Sequence, residues 1–127
     1  MPFHNILLID DDVDDQEIFL TAVIQVCGGS VKCIALSDAS EALGKLAIKD
    51  IMPDVIFLDL NMPVMNGQQF LVEIKKNKEL KDIPVIIFST TSHSATIELT
   101  KQLGAHDFIT KPDNYDELVN ILARLIN

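Results

Sequence analysis

The stretch Asn5-Ile6-Leu7-Leu8-Ile9-Asp10-Asp11-Asp12-Val13-Asp14-Asp15 changes character in one step, from a four-residue apolar run to five aspartates in six residues. A run apolar at consecutive positions has no polar face, so as a strand it has to be covered on both sides, as in a parallel sheet between layers of helices. Val31 to Leu36, Val55 to Leu58, Val85 to Phe88 and Phe108 to Ile109 read as four more strands. Helical patterns alternate with them. Ile18, Phe19, Ala22, Val23 and Val26 share one face of a helix that runs to Gly28-Gly29. Asp38 with Glu41 opens a second helix with Ala42, Leu43, Leu46 and Ala47 on one stripe, and Asn66 with Gln69 opens a third carrying Phe70, Leu71 and Ile74. Lys75, Lys76 and Lys78 suit the third helix's C-terminal end. Ala95 to Leu103 reads as a fourth helix, stopped by Gly104 and weakened by the β-branched Thr96, Ile97 and Thr100; Tyr115 to Ile126 is the fifth, with Leu118, Val119, Leu122 and Ile126 inward.

Five strands alternating with five helices make a doubly wound open α/β sheet, because right-handed crossovers place helices on both faces. With the strand order 2-1-3-4-5 the winding reverses between strands 1 and 3, and a ligand site is expected there at the carboxyl ends of the strands. The 127 residues fit one domain, and 48% hydrophobic against 23% charged residues is enough for a packed core. Acids outnumber bases 19 to 10, and a net charge of −9 disfavours nucleic-acid and anionic-membrane partners. Cys27 and Cys33 fit no metal or disulfide framework, and no apolar run approaches a signal peptide or membrane span, so a cytoplasmic protein is expected. The fifth helix reaches the end of the sequence at Asn127, which leads us to expect one domain over 1–127 without an attached output domain.

The chemistry collects at the carboxyl edge. Strand 1 ends in Asp10 and Asp11, strand 3 in Asp59 and strand 4 in Ser89-Thr90-Thr91, while Lys111-Pro112 follows strand 5. A helix dipole accounts for Asp14 and Asp15, but not for adjacent carboxylates at a strand end, which repel one another unless a cation neutralises them. Carboxylates without His or Cys ligands suit a hard divalent cation, and a cation beside a nucleophilic carboxylate points to phosphoryl transfer. His4, His93 and His106 lack ligand spacing.

Four pieces occur in the order and spacing of a known family: Ile6 to Asp12; Val55-Ile56-Phe57-Leu58-Asp59-Leu60-Asn61-Met62-Pro63 with Gly67; Pro84 to Thr90; and Phe108-Ile109-Thr110-Lys111-Pro112. Together they resemble the receiver domain of two-component response regulators, in its single-domain, chemotaxis-regulator-like form, and the resemblance spans nearly the whole chain. It implies the flavodoxin-like fold with order 2-1-3-4-5. Asp59 would be the phosphoacceptor, with Asp11 a direct ligand of Mg²⁺ (or Mn²⁺), Asp10 assisting through water, and the Asn61 backbone carbonyl completing the protein ligands. Lys111 would pair with a phosphoryl oxygen and carry a cis bond to Pro112. Ser89 and Phe108 would form the switch, and Asn61 and Thr91 would tune loss of the phosphoryl group. The implied donor is a sensor histidine kinase or phosphotransfer protein. Fourth helix, fifth strand and fifth helix would form a partner or homodimer face, with His93, Lys101, His106 and Tyr115 exposed on it. The approach Leu80-Lys81-Asp82-Ile83-Pro84 looks like that of single-domain regulators paired with sensor kinases, some of them phytochrome-type.

Rival chemistries fit less well. An FMN carrier needs a phosphate-cradling loop after strand 1, where this chain places five aspartates. An aspartate-nucleophile phosphohydrolase needs a second acid two residues after the nucleophile, where Asn61 stands. A degenerate receiver that binds a partner without being phosphorylated would share the same residues.

Overall fold

The computed structural model describes residues 3–126; Met1, Pro2 and Asn127, on which the expectations about the chain's ends partly rest, lie outside them. The elements are β1 (Asn5–Ile9), α1 (Val13–Cys27), β2 (Lys32–Leu36), α2 (Ala39–Ala47), β3 (Val55–Leu58), α3 (Gly67–Lys76), β4 (Val85–Ser89), α4 (Ser94–Gln102), β5 (Asp107–Thr110) and α5 (Tyr115–Ile126). All strand pairs are parallel, in the order β2-β1-β3-β4-β5.

Alternation along the central strands divides the core into two layers. Ile6, Leu8, Phe57 and Phe88 face α1 and α5, where they meet Phe19, Leu118 and Leu122. Leu7, Ile9, Leu58 and Ile87 face α2 and α3, where they meet Leu46, Phe70 and Ile74. Phe19, Phe57 and Phe88 form an edge-to-face triad with centroids 5.0, 5.6 and 6.4 Å apart, each pair contributing roughly 0.5–1.5 kcal/mol beyond area burial. Strands β2 and β5 are only half-buried, because each has a strand neighbour on one side alone.

Local chemistry sets where the helices begin. Asp12 caps α1 by accepting from the Asp15 N–H, and Asp38 caps α2 by accepting from the Glu41 N–H. Asn66 and Gln69 form a reciprocal capping box at α3, with both bonds 2.9 Å long. At the other end of α1, Gly28 adopts φ 61° and its N–H closes on the Ile24 carbonyl. Among the described residues no helix is long and apolar enough to cross a membrane.

Some expectations change in detail. Ile18 is 46% exposed rather than on the buried face, because the apolar stripe of α1 is wider than the strip that α5 and the sheet cover. Ala47 ends α2 in solvent, and Lys78 lies beyond α3. Strand β5 extends one residue further at each end than its apolar pair, since Ile86–Asp107 and Ser89–Thr110 pairing uses backbone groups and does not depend on side-chain polarity. Helix α4 starts one residue earlier and ends one earlier than expected, and Thr100 is its one fully buried side chain. Tyr115 is half-buried rather than free on the surface, its hydroxyl donating to Gln25 Oε1 at 2.7 Å and tying α5 to α1.

Candidate functional site

Parallel pairing brings the ends of β1, β3 and β4 to one edge. Leu36 carbonyl accepts from the Asp10 N–H at 3.0 Å and Ile9 carbonyl from the Asp59 N–H at 2.9 Å, so the ladder itself fixes both aspartates just past their strands. One carboxylate oxygen from each of Asp10, Asp11 and Asp59 lies within 4.8 Å of the others. Asp10 and Asp59 are buried, whereas Asp11 is exposed at the rim.

Lys111 closes the cluster from β5. Its N–H donates to the Ser89 carbonyl at 2.8 Å, anchoring the backbone, and its Nζ reaches Asp10 Oδ2 and Asp15 Oδ2 at 2.8 Å each. Asp59 Oδ2 is further off, at 3.8 Å. The ammonium also stands 5.7 Å above the Phe88 ring centroid, a cation–π distance. The Lys111–Pro112 bond is trans, which corrects the expectation of a cis bond. The trans form is the preferred one for a peptide bond to proline, and the long lysine stem reaches the carboxylates from it.

Burial is the largest influence on both central acids. It pushes the Asp59 carboxyl above its ordinary range; the Lys111 charge opposes this, and the charges of Asp10 and Asp11 add to it. Asp10 is raised for the same first reason, although hydrogen bonds from Lys111 and the Asp12 N–H pull the other way. Lys111 is raised too: burial alone would lower it, but the bonds to Asp10 and Asp15 and the charges of Asp10 and Asp59 outweigh burial. Both members of the Asp10–Lys111 pair thus move upward. The lysine is charged, because two carboxylates sit at hydrogen-bond distance, and in both acids burial outweighs the lowering effect of that charge.

The remaining expected residues arrange themselves around this cluster. Asn61 donates its N–H to Asp59 Oδ1 at 3.4 Å, and Asn61 and Thr91 line one cleft of about 450 Å³ with Met62, Asn66, Gln68 and Thr96. Ser89 is completely buried, its hydroxyl accepting from the Thr91 N–H at 3.4 Å. Leu58 pairs with Ile87, so Ser89 stands one residue further along its strand than Asp59 does on β3. Phe108 is apart from the carboxylates, half-buried against the α3-side core opposite Ile87. Gly67 permits the approach of α3: a Cβ there would fall 2.5 Å from the Asp59 carbonyl and 2.8 Å from Leu60 Cα.

A family model described as the response regulator receiver domain matches residues 6–123. The chain belongs to this family. Among the most similar solved receivers, the phosphorylated cyanobacterial phytochrome response regulator RcpA aligns with TM-score 0.88 and 29% identity, covering 96% of this chain and 90% of that one. The Mn²⁺-bound form of response regulator Rcp1 aligns with TM-score 0.85 and 27% identity, covering 96% and 91%. The two-component response regulator ORR1 of Oryza sativa subsp. japonica is 36% identical over 112 residues, 84% of this chain and 48% of that protein. The receiver spans about half or less of the length of the curated relatives it matches.

Two contributors to this receiver's site escape a reading by strand ends. Gln16 donates to the Asp10 carbonyl at 2.6 Å and to Ser37 Oγ at 2.9 Å, bracing the β1–α1 turn against the β2–α2 turn. Asp15 looks like a helix-dipole acid in sequence, yet it holds Lys111 from ninety-six residues away. The available signal is its place in the first turn of α1, which begins at the carboxyl end of β1, the edge of the sheet where Lys111 follows β5.

Proposed function

We propose that this receiver is a phosphorylation-activated switch that accepts a phosphoryl group on Asp59 from a histidine kinase or phosphotransfer protein, with a divalent cation. The observation that carries this reading is a buried carboxylate sharing a 4.8 Å oxygen cluster with two other acids while one ammonium stands 3.8 Å away. A carboxylate oxygen of Asp59 attacks phosphorus and forms a new O–P bond. The bond from phosphorus to the donor breaks, its electron pair leaves on the donor, and solvent protonates the donor. Later attack by water on phosphorus releases inorganic phosphate and restores the carboxylate.

The donor set fits a hard cation: three carboxylates with no sulfur or imidazole, two of them buried, where a bound cation would offset the cost of burying their charge. Asp10, Asp11, Asp59 and the Asn61 carbonyl would hold Mg²⁺, with Mn²⁺ as the alternative; a relative in this fold was solved with Mn²⁺. When bound, the cation supplies the charge that lets a carboxylate approach an anionic donor. The protein's own work is positional. Lys111 offers an ammonium, the Asn61 N–H orients Asp59, and buried Ser89, whose oxygen accepts from the Thr91 N–H, has its O–H to donate to a phosphoryl oxygen.

Signal output follows from where packing is thin. Helix α4 buries only Thr100, and Phe108 is half-buried, so the segment from Ser89 to Phe108 is the softest connection to the site. Moving a two-state equilibrium from 1:99 to 99:1 needs about 5.5 kcal/mol of differential stabilisation, supplied by the new bonds of Ser89 and Lys111. The α4–β5–α5 face, with Lys101 and His106 exposed, is the proposed partner face, homodimer included. The free thiols of Cys27 and Cys33 and the −9 charge support a cytoplasmic signalling protein that does not bind nucleic acid.

The test is intact mass after incubation with acetyl phosphate and Mg²⁺. One phosphoryl unit is expected, none with EDTA and none in Asp59→Asn. Absence of uptake by wild type favours a phosphorylation-independent binding module, and sustained turnover of phosphate esters favours a phosphohydrolase.

A further inference from the structure

We propose that Asp15 is a positioning residue that parks Lys111 in the resting protein, so that its release of the ammonium sets how readily the phosphorylated state forms. The inference rests on the reading of Asp59 as phosphoacceptor and adds a competitor for the lysine that this reading needs.

An ammonium has three donors. Two of those on Lys111 lie at 2.8 Å from Asp10 and Asp15, while Asp59 Oδ2 at 3.8 Å is beyond hydrogen-bond reach. At rest the lysine is therefore bonded to acids other than the one it must serve. A phosphoryl group on Asp59 would meet the third donor and draw Nζ toward Asp59, away from its present partners. The two present partners are not equally able to yield. The Asp10 side chain is 1% exposed, and losing its partner would strand a buried charge, whereas that of Asp15 is 37% exposed and can return to water. Asp15 has further support without the lysine, since it sits in the first turn of α1, where the helix dipole favours an anion. Nor is it needed for a cation, because the oxygen cluster is made by Asp10, Asp11 and Asp59. The geometry makes Asp15 the more readily exchanged of the two partners.

The probe is the beryllofluoride anion with Mg²⁺, titrated by calorimetry and ¹⁹F NMR into the full chain. Asp15→Asn is expected to bind the mimic roughly fivefold to tenfold tighter, the size of a direct side-chain coupling. The same substitution in a Lys111→Gln background is expected to change affinity less than about twofold, because no ammonium remains to be parked. Tightening of equal size in both backgrounds would overturn the proposal, showing plain repulsion between Asp15 and the anion. Unchanged affinity of Asp15→Asn would overturn it also and leave the phosphoacceptor reading intact. A wild-type protein that takes up no mimic would overturn that reading, and the parking role with it. Should Lys111→Gln fail to fold, the Lys111 side-chain ammonium resonance decides. It is expected to shift in Asp15→Asn and, in wild type, on adding the mimic; a resonance unmoved by either contradicts parking.

Discussion

At Asp59, burial and the need for charge oppose each other. Its carboxyl is held above 3.8, so the folded protein binds this proton more tightly than the unfolded chain does. The resulting stability is fully present below the unfolded value and is lost as pH rises through the folded one, which means that the ionised site destabilises the fold at neutral pH. Asp59→Asn is expected to melt higher than wild type near pH 7, on the order of 1 kcal/mol or about 4 °C, and this advantage is expected to shrink toward about pH 4. Thermal unfolding of both proteins across that window checks the sign. Val64 makes a second case. It is β-branched, adopts φ 66° and is 95% exposed, so nothing in its surroundings offsets the strain. Val64→Gly is expected to stabilise by about 1 kcal/mol, the left-handed penalty outweighing the added freedom of the unfolded chain, as read by urea denaturation.

At the scale of elements, the site depends on how closely α3 approaches the end of β3. A methyl at Gly67 would meet the Asp59 carbonyl and Leu60 backbone, neither of which can move without shifting the strand end. Gly67→Ala is expected to destabilise by about 2–3 kcal/mol and to slow phosphoryl uptake, measured by denaturation and by intact mass. Helix α4, with Thr100 alone buried, is expected to exchange its amides well before α1 and α3 in hydrogen-exchange mass spectrometry. The same contrast explains what could be read from sequence. Helix starts at Asp38 and Asn66 and the termination at Gly28 were legible because caps are local, and continuous apolar runs identified β1, β3 and β4 because their burial leaves no polar face. The exposure of Ile18 and the half-burial of Tyr115 were not, since each depends on which neighbour covers the residue, and the cis bond expected before Pro112 came from the family resemblance against the ordinary preference for trans. The acids at the strand ends were legible as candidates because topology alone gathers them, whereas the bond from Asp15 to Lys111 required the three-dimensional reach of one side chain.

Across the whole molecule, the −9 charge and the acid cluster lead us to expect that a divalent cation stabilises the fold. Mg²⁺ at about 100 times its dissociation constant is expected to add ~2.7 kcal/mol, seen as a rise in Tm that Asp59→Asn largely abolishes and EDTA reverses. That effect tests the cation; the phosphoryl group needs its own measurement. The most direct is to treat the chain, after incubation with acetyl phosphate and Mg²⁺, with borohydride, which reduces an aspartyl phosphate to homoserine, and to locate the product by peptide mass spectrometry. Homoserine at position 59 alone is the expected result; homoserine at another aspartate, or none despite uptake of a phosphoryl unit, would contradict it.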